Sequence, residues 1–294
     1  MQNRQLMIIL LTLFGAPLSA VEALRFAPLP MENRETTIAN FSPLLAYLEL
    51  QLQYPVTLSY YESNQEVIDA FANNQIDIAF FGPLPYLKTR QHHAKIEPLV
   101  FFKAADGTAT YHCALIAALD ERPTSLSVLK GQRFGLTMQM STCGYLVTEA
   151  ILKDQAGFSL AESNYHYLGS HEEVVRAVVA GQVDVGTVKD EFALKYSPLG
   201  IRVIAQSAAV PPVGLAGNSA TLDAATLETI REVLLTTPPS VYSQWGSTIR
   251  HGMTAASDDD YAALRNFGDI DAIPNHRHSS PYQNAVSPSH SPVD

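Results

Sequence analysis

Positive charge is scarce in this chain. Its 294 residues include 19 Lys and Arg against 29 Asp and Glu, a net charge of −10. That balance excludes a nucleic-acid backbone or an anionic membrane surface as partner. Small anions stay open, because they respond to local hydrogen-bond donors rather than to global charge. Long apolar runs are missing once the first residues are passed, so no later stretch predicts a membrane span. There is no tandem repeat and no nucleophile-elbow sequence, and His171-Glu172-Glu173-Val174-Val175 lacks the second histidine of a zinc-protease helix. Cysteine is limited to Cys113 and Cys143.

What is present begins with a targeting pattern. Arg4 precedes a short apolar run, Leu6 to Phe14, and Val21-Glu22-Ala23 offers small residues where a signal peptidase reads. These predict a signal peptide over 1–23, cleaved after Ala23 or Ala20, and export to the periplasm. In an oxidising compartment a pair of cysteines reads first as a disulfide, with two free thiols as the alternative. Hydrophobic residues make up 47% and charged residues 16%, which suits a soluble globular protein with a substantial core.

Periodicity predicts alternating strands and helices. Strands are expected at 24–29, 55–60, 76–80, 99–103 and 110–117, with helices at 38–52, 64–73 and 84–92. After an irregular stretch over 118–130 a second series follows. It has strands at 133–137, 165–168, 183–188 and 201–205 and helices at 144–153 and 172–180, with late helices at 224–235 and 258–266. The tail from 273, rich in Ser, Pro, His and Asn, is expected to be disordered. Ala70 to Ala79 and Ala177 to Gly186 echo each other as a helix, a tight turn and an Asp-containing strand. Two similar α/β lobes facing each other across a cleft account for this, since strand ends carry the ligand in open α/β sheets.

Ser141-Thr142-Cys143-Gly144 lies where a predicted strand turns into a predicted helix. The first N–H groups of such a helix lack partners within it, and its positive dipole end favours an anion. Small polar residues there serve equally as a cap. His171, at the start of another predicted helix, has the same two readings.

Several stretches together resemble the periplasmic solute-binding proteins for phosphonate, phosphite and related oxyanions. They are Leu24 to Pro28, the helix with Tyr47, Ile76 to Pro83 followed by Tyr86, Tyr111-His112-Cys113, Ser141 to Tyr145, and Gly169-Ser170-His171. The resemblance runs from about Leu24 to Gly217. It implies a type II two-lobed α/β binding protein with a mixed, mostly parallel sheet in each lobe. Lobe 1 would be 24–117 plus 206–272 and lobe 2 would be 131–205, with hinge crossovers at 118–130 and 205–210. It also implies that Ser141, Thr142, Cys143, Gly144 and His171 hold the oxyanion, while Gly82-Pro83 and Tyr86 form the opposite wall. Tyr111 joins the same site, and Asp190 or Glu191 would face a ligand ammonium. The returning segment Val210 to Ala216 carries no carboxylate, which argues against a cationic ligand tail.

Where family members often have serine, this chain has Cys113 and Cys143. Thiolates are soft ligands that suit trivalent arsenic better than phosphate. An arsenite-sensing relative uses a pocket cysteine, so the leading expectation for the ligand is arsenite held through Cys113. Phosphonate, phosphite or phosphate is the alternative, with the cysteines as a disulfide or as packing residues. A Cys143/His171 hydrolase is a minor third reading. The expected protein is a monomeric receptor without catalytic residues, cofactor or metal. Its closed form would be presented to an ABC permease or to a sensor histidine kinase.

Overall fold

The computed structural model describes residues 23–30, 33–119 and 125–275. The expected signal peptide, apart from residue 23, and the tail beyond 275 lie outside them. In chain order the first half runs β1 (Leu24–Pro28), α1 (Arg34–Leu52), β2 (Val56–Leu58), α2 (Asn64–Ala72), β3 (Ile78–Phe81), α3 (Pro83–His92), β4 (Ile96–Phe102), β5 (Cys113–Ala118), β6 (Arg133–Leu136) and α4 (Tyr145–Ala156). It continues with β7 (Asn164–Tyr167), α5 (His171–Val179), β8 (Val185–Lys189), α6 (Asp190–Tyr196), β9 (Ile201–Gln206), β10 (Gly214–Asn218), α7 (Ala224–Leu235), α8 (Pro239–Tyr242), β11 (Met253–Ala255) and α9 (Ala262–Arg265). Two sheets result, ordered β11-β4-β10-β3-β1-β2 and β7-β6-β8-β5-β9.

Parallel pairing is confined to β2-β1-β3 and β7-β6-β8, whose strands are joined through helices. The returning strands β10, β11, β5 and β9 pair antiparallel. Both sheets are therefore mixed, and more antiparallel than a plain β-α-β-α-β series implies. The continuous apolar run of β3, buried throughout, suits a strand covered on both faces. On one face α1 lays down Phe41, Leu44, Leu45 and Leu48 at helical spacing. Its start at Arg34, four residues before the periodic signal, is set by Asn33, whose side chain accepts the Thr36 N–H at 2.9 Å.

The internal echo has a physical basis. Asp77 accepts the backbone N–H of Arg25 at 2.8 Å and its guanidinium at 2.9 Å (Nε) and 2.5 Å (Nη2). Asp184 accepts the N–H of Arg133 at 2.9 Å and its Nε at 3.0 Å, with Nη2 on the other oxygen. In each case the arginine also reaches a carbonyl in the preceding tight turn, that of Asn74 or of Gly181. Those two turn residues both have positive φ, 59° and 66°. The same clamp thus fixes the helix-to-strand turn against β1 in one sheet and against β6 in the other.

One expectation about the chain path is corrected. β5 pairs with β8 and β9, so it belongs to the second sheet and forms no hairpin with β4. The chain therefore crosses between the sheets at 103–112 and returns at 207–213, rather than at 118–130 and 205–210. The two crossings touch, since Tyr111 N–H donates to Val210 O at 3.0 Å and Val210 N–H to Tyr111 O at 2.9 Å. Tail residues 273–275 also depart from the disordered expectation. Ile273 is buried in a core cluster with Met140 and Leu146, and Tyr167 Oη donates to Pro274 O at 3.2 Å.

Candidate functional site

A cavity of about 650 Å³ lies between the two sheets. From the second sheet it is lined by the loops leaving β6, β7 and β8: Thr137 and Met138, Ser141 to Cys143, Gly169 to His171, and Lys189. From the first sheet come Leu29 after β1, Asn64 at the start of α2, Gly82 after β3 and the crossing segment from Phe102. These are carboxyl ends of strands, where open α/β sheets place ligands.

Within the β6–α4 loop, Ser141 N–H donates to Met138 O at 3.0 Å and Gly144 N–H to Ser141 O at 2.9 Å. These successive turns bring Gly144 so close to backbone that a Cβ there would lie 2.6 Å from Met138 O and 2.9 Å from Ser141 O. Only glycine fits. Gly144 also leaves the first turn of α4 without a side-chain cap, so its leading N–H groups keep their hydrogen-bonding capacity. The Ser141 hydroxyl has no hydrogen-bond partner among the described residues. The Thr137 hydroxyl, 1% exposed, is likewise unpartnered, as is the side-chain oxygen of Asn64 on the opposite wall. Unpaired buried polar atoms are costly in a closed interior. Both residues line the cavity.

Thr142 lines the cavity and has a structural task as well. Its hydroxyl accepts the Leu84 N–H at 3.1 Å, so it supplies from the second sheet the cap that Gly82 cannot give α3. Tyr111 lies beside the Thr142 hydroxyl, and burial raises its phenol well above the ordinary value.

His171 opens α5, whose cap is Ser170. The Lys189 N–H donates to His171 Nδ1 at 3.2 Å, and the ring stacks on Phe192 with centroids 4.6 Å apart. Burial, and then the neighbouring Lys189 charge, push its pKa down to about 4. A neutral imidazole that accepts at Nδ1 carries its proton at Nε2. His171 is thus a neutral donor at the cavity wall.

The structure brings Ser141, Thr142, Cys143, His171 and Tyr111 to one cavity, while other expected residues lie elsewhere. Tyr86 is fully buried, stacks on Tyr261 at 3.9 Å and donates to Asp258 at 2.8 Å, away from the cleft. Pro83 is the buried first residue of α3; of the expected wall Gly82 does line the cavity, together with Pro85. The Asp190 carboxylate is taken up by the N–H groups of His112 and Glu191, both at 2.9 Å, and it is Glu191 that lines the cavity. Gly144 sits behind the loop it shapes.

Cys113 and Cys143 form a disulfide, with Cα atoms 5.2 Å apart. Neither thiolate exists to hold trivalent arsenic, so the expectation of arsenite captured by Cys113 is overturned. The hydrolase reading fails for the same reason, since Cys143 has no free sulfur to attack with. The bridge instead ties the Ser141–Gly144 loop to the start of β5.

Sequence reasoning missed Thr137, Asn64 and Lys189. Each stands at the same kind of strand-to-helix turn that drew attention to Ser141, and that shared position was the available signal.

The family model for the periplasmic substrate-binding protein of phosphonate ABC transporters matches residues 26–261. The chain belongs to this family. It is similar to the phosphate-import protein PhnD of Mycolicibacterium smegmatis, 27% identical over 184 residues, covering 59% of this chain and 57% of that protein. It is also similar to the phosphonates-binding periplasmic protein of Escherichia coli, 28% identical over 174 residues, covering 58% and 51%. The matches span little more than half the length of these relatives. In fold, the chain is similar to PhnD1 from Prochlorococcus marinus in complex with methylphosphonate, with a TM-score of 0.69 at 16% identity, covering 85% of this chain and 98% of that one. The two-sheet architecture of this binding protein is that of the type II periplasmic binding proteins. Proteins of this family bind solutes and are not enzymes.

Proposed function

We propose that this protein captures a phosphonate or a closely related phosphorus oxyanion in the periplasm and delivers it to the membrane permease of an ABC importer. One observation carries the reading. Ser141 with its hydroxyl, Thr137 with its orphaned hydroxyl, and the neutral donor His171 line one cavity between the sheets. Fixed donors grouped on one wall suit a tetrahedral anion. Lys189 and Lys103 on the same walls add positive potential in a chain of net charge −10.

The crossings at 103–112 and 207–213 serve as the hinge. A ligand touching both sheets stabilises the closed arrangement by its differential contacts, and the permease recognises that arrangement. The disulfide fits an oxidising compartment. The pocket thiol was what pointed to a sensor kinase, and without it the permease is the partner the family supports. Isothermal titration calorimetry with methylphosphonate, phosphite, phosphate, sulfate and arsenite tests the proposal. Saturable binding of a phosphorus oxyanion with no heat from arsenite is expected. Absence of binding by all three phosphorus compounds would refute it.

A further inference from the structure

The cavity is much larger than an oxyanion needs. A tetrahedral oxyanion fills on the order of 100 Å³, a few water molecules, against about 650 Å³ here. The donors described above come from the second sheet. Beyond them, the first-sheet wall offers Leu29, Phe41, Phe80, Phe102, Val213 and Ile249. Between these lie uncharged polar groups such as Asn40 and Asn64. Among the described residues this wall carries no carboxylate, and its basic members are Lys103 and His251.

Among the described residues the acidic side chains lining the cavity are Glu172 and Glu191, both from the second sheet and both engaged. Glu191 pairs with Lys189 Nζ at 3.0 Å. Glu172 accepts the Tyr196 hydroxyl, with Lys195 and Arg176 nearby. A ligand ammonium would have to break one of these pairs or lie against phenyl rings and lysines without a counter-charge. Desolvating a cation without a partner is heavily penalised, whereas covering apolar surface is favourable.

Resting on the oxyanion reading, we infer that the ligand is a phosphonate carrying an uncharged, largely apolar alkyl or aryl substituent. Its headgroup lies against Ser141 and His171, and its substituent runs along Phe41 and Phe80. Such a ligand fills the volume that an inorganic anion leaves to water. It also leaves the Lys189–Glu191 pair intact.

The decisive comparison is between two near-isosteres, propylphosphonate and 2-aminoethylphosphonate, which differ by a methyl in place of an ammonium. Calorimetry on the full mature protein, with inorganic phosphate and phenylphosphonate alongside, reads the difference. Propylphosphonate is expected to bind at least tenfold more tightly than 2-aminoethylphosphonate and more tightly than inorganic phosphate. Equal or tighter binding of the amino compound, or of inorganic phosphate, overturns the substituent assignment while the oxyanion reading stands. No binding of any of the four by protein with native circular dichroism overturns both.

Discussion

The backbone N–H of Lys189 donates to Nδ1 of His171 over 3.2 Å. That single bond decides which ring nitrogen of His171 keeps a proton, and it couples the end of β8 to the start of α5. The imidazole is therefore held as a neutral donor, with its pKa near 4 through burial and the adjacent lysine.

His171 should not titrate in the physiological range. In ring-nitrogen NMR spectra of the ligand-free protein, its midpoint is expected near 4, with the Nε2–H tautomer persisting above it. The unfolded chain takes up this proton near 6.5. Between the two values the unfolded state binds more protons, so stability falls as pH drops from 6.5 towards 4, by at most about 3 kcal/mol. His171→Gln should lack that slope in denaturant titrations. A midpoint near 6.5 in the folded protein would contradict the arrangement.

The native protein should show no thiol reactive to an aromatic disulfide reagent, even after denaturation without reductant. Replacing both Cys113 and Cys143 with Ser should cost roughly 3–4 kcal/mol, as expected for a bridge closing a loop of about thirty residues. It should also weaken oxyanion binding, because the Ser141–Gly144 loop loses its tether to β5. Unchanged stability and affinity in the double variant would make the bridge incidental.

Thr142→Val deprives the Leu84 N–H of its acceptor across the two sheets. A loss of about 1–3 kcal/mol is expected from a buried donor left unpaired, largely restored by Thr142→Ser. Chemical denaturation of the three proteins checks this. Equal stability of the valine and serine variants would show that the contact contributes little.

The paired aspartates should differ in weight although their hydrogen bonds match. The Asp77 side chain is 6% exposed and that of Asp184 30%. Burial works against the ionised form of Asp77, yet its bonds to Arg25 hold the carboxyl below the ordinary range. Its contribution is thus present above the unfolded value and is lost as pH falls through the folded one. Asp77→Asn is expected to cost about 2–3 kcal/mol, and Asp184→Asn less, because solvent screens the more exposed pair. The reverse order in denaturant melts would sink this ranking.

Much of the fold was legible along the chain because its signals are local. The helix expected at 224–235 is α7, Ala224–Leu235, and the helix-turn-strand echo is the repeated Arg–Asp clamp. Sheet membership is not local. The alternation of residues 113–118 predicts a strand but says nothing of which sheet receives it, so β5 was placed with the wrong neighbours. β10, Gly-Leu-Ala-Gly-Asn, has no β-branched residue and follows Pro211-Pro212, and it was not read as a strand. At the site, the Ser141 loop and His171 were legible because helix starts have a sequence signature. Thr137 and Asn64 were not, because an orphaned hydroxyl or amide is defined by what surrounds it in space. The state of the cysteines was open for the same reason.

The most direct test is a crystal structure of the protein grown with saturating methylphosphonate. The phosphonate oxygens are expected within hydrogen-bonding distance of Ser141 Oγ, Thr137 Oγ1 and His171 Nε2, in the cavity between the sheets. Ligand bound at another surface, or that cavity holding only water at saturation, would contradict the account.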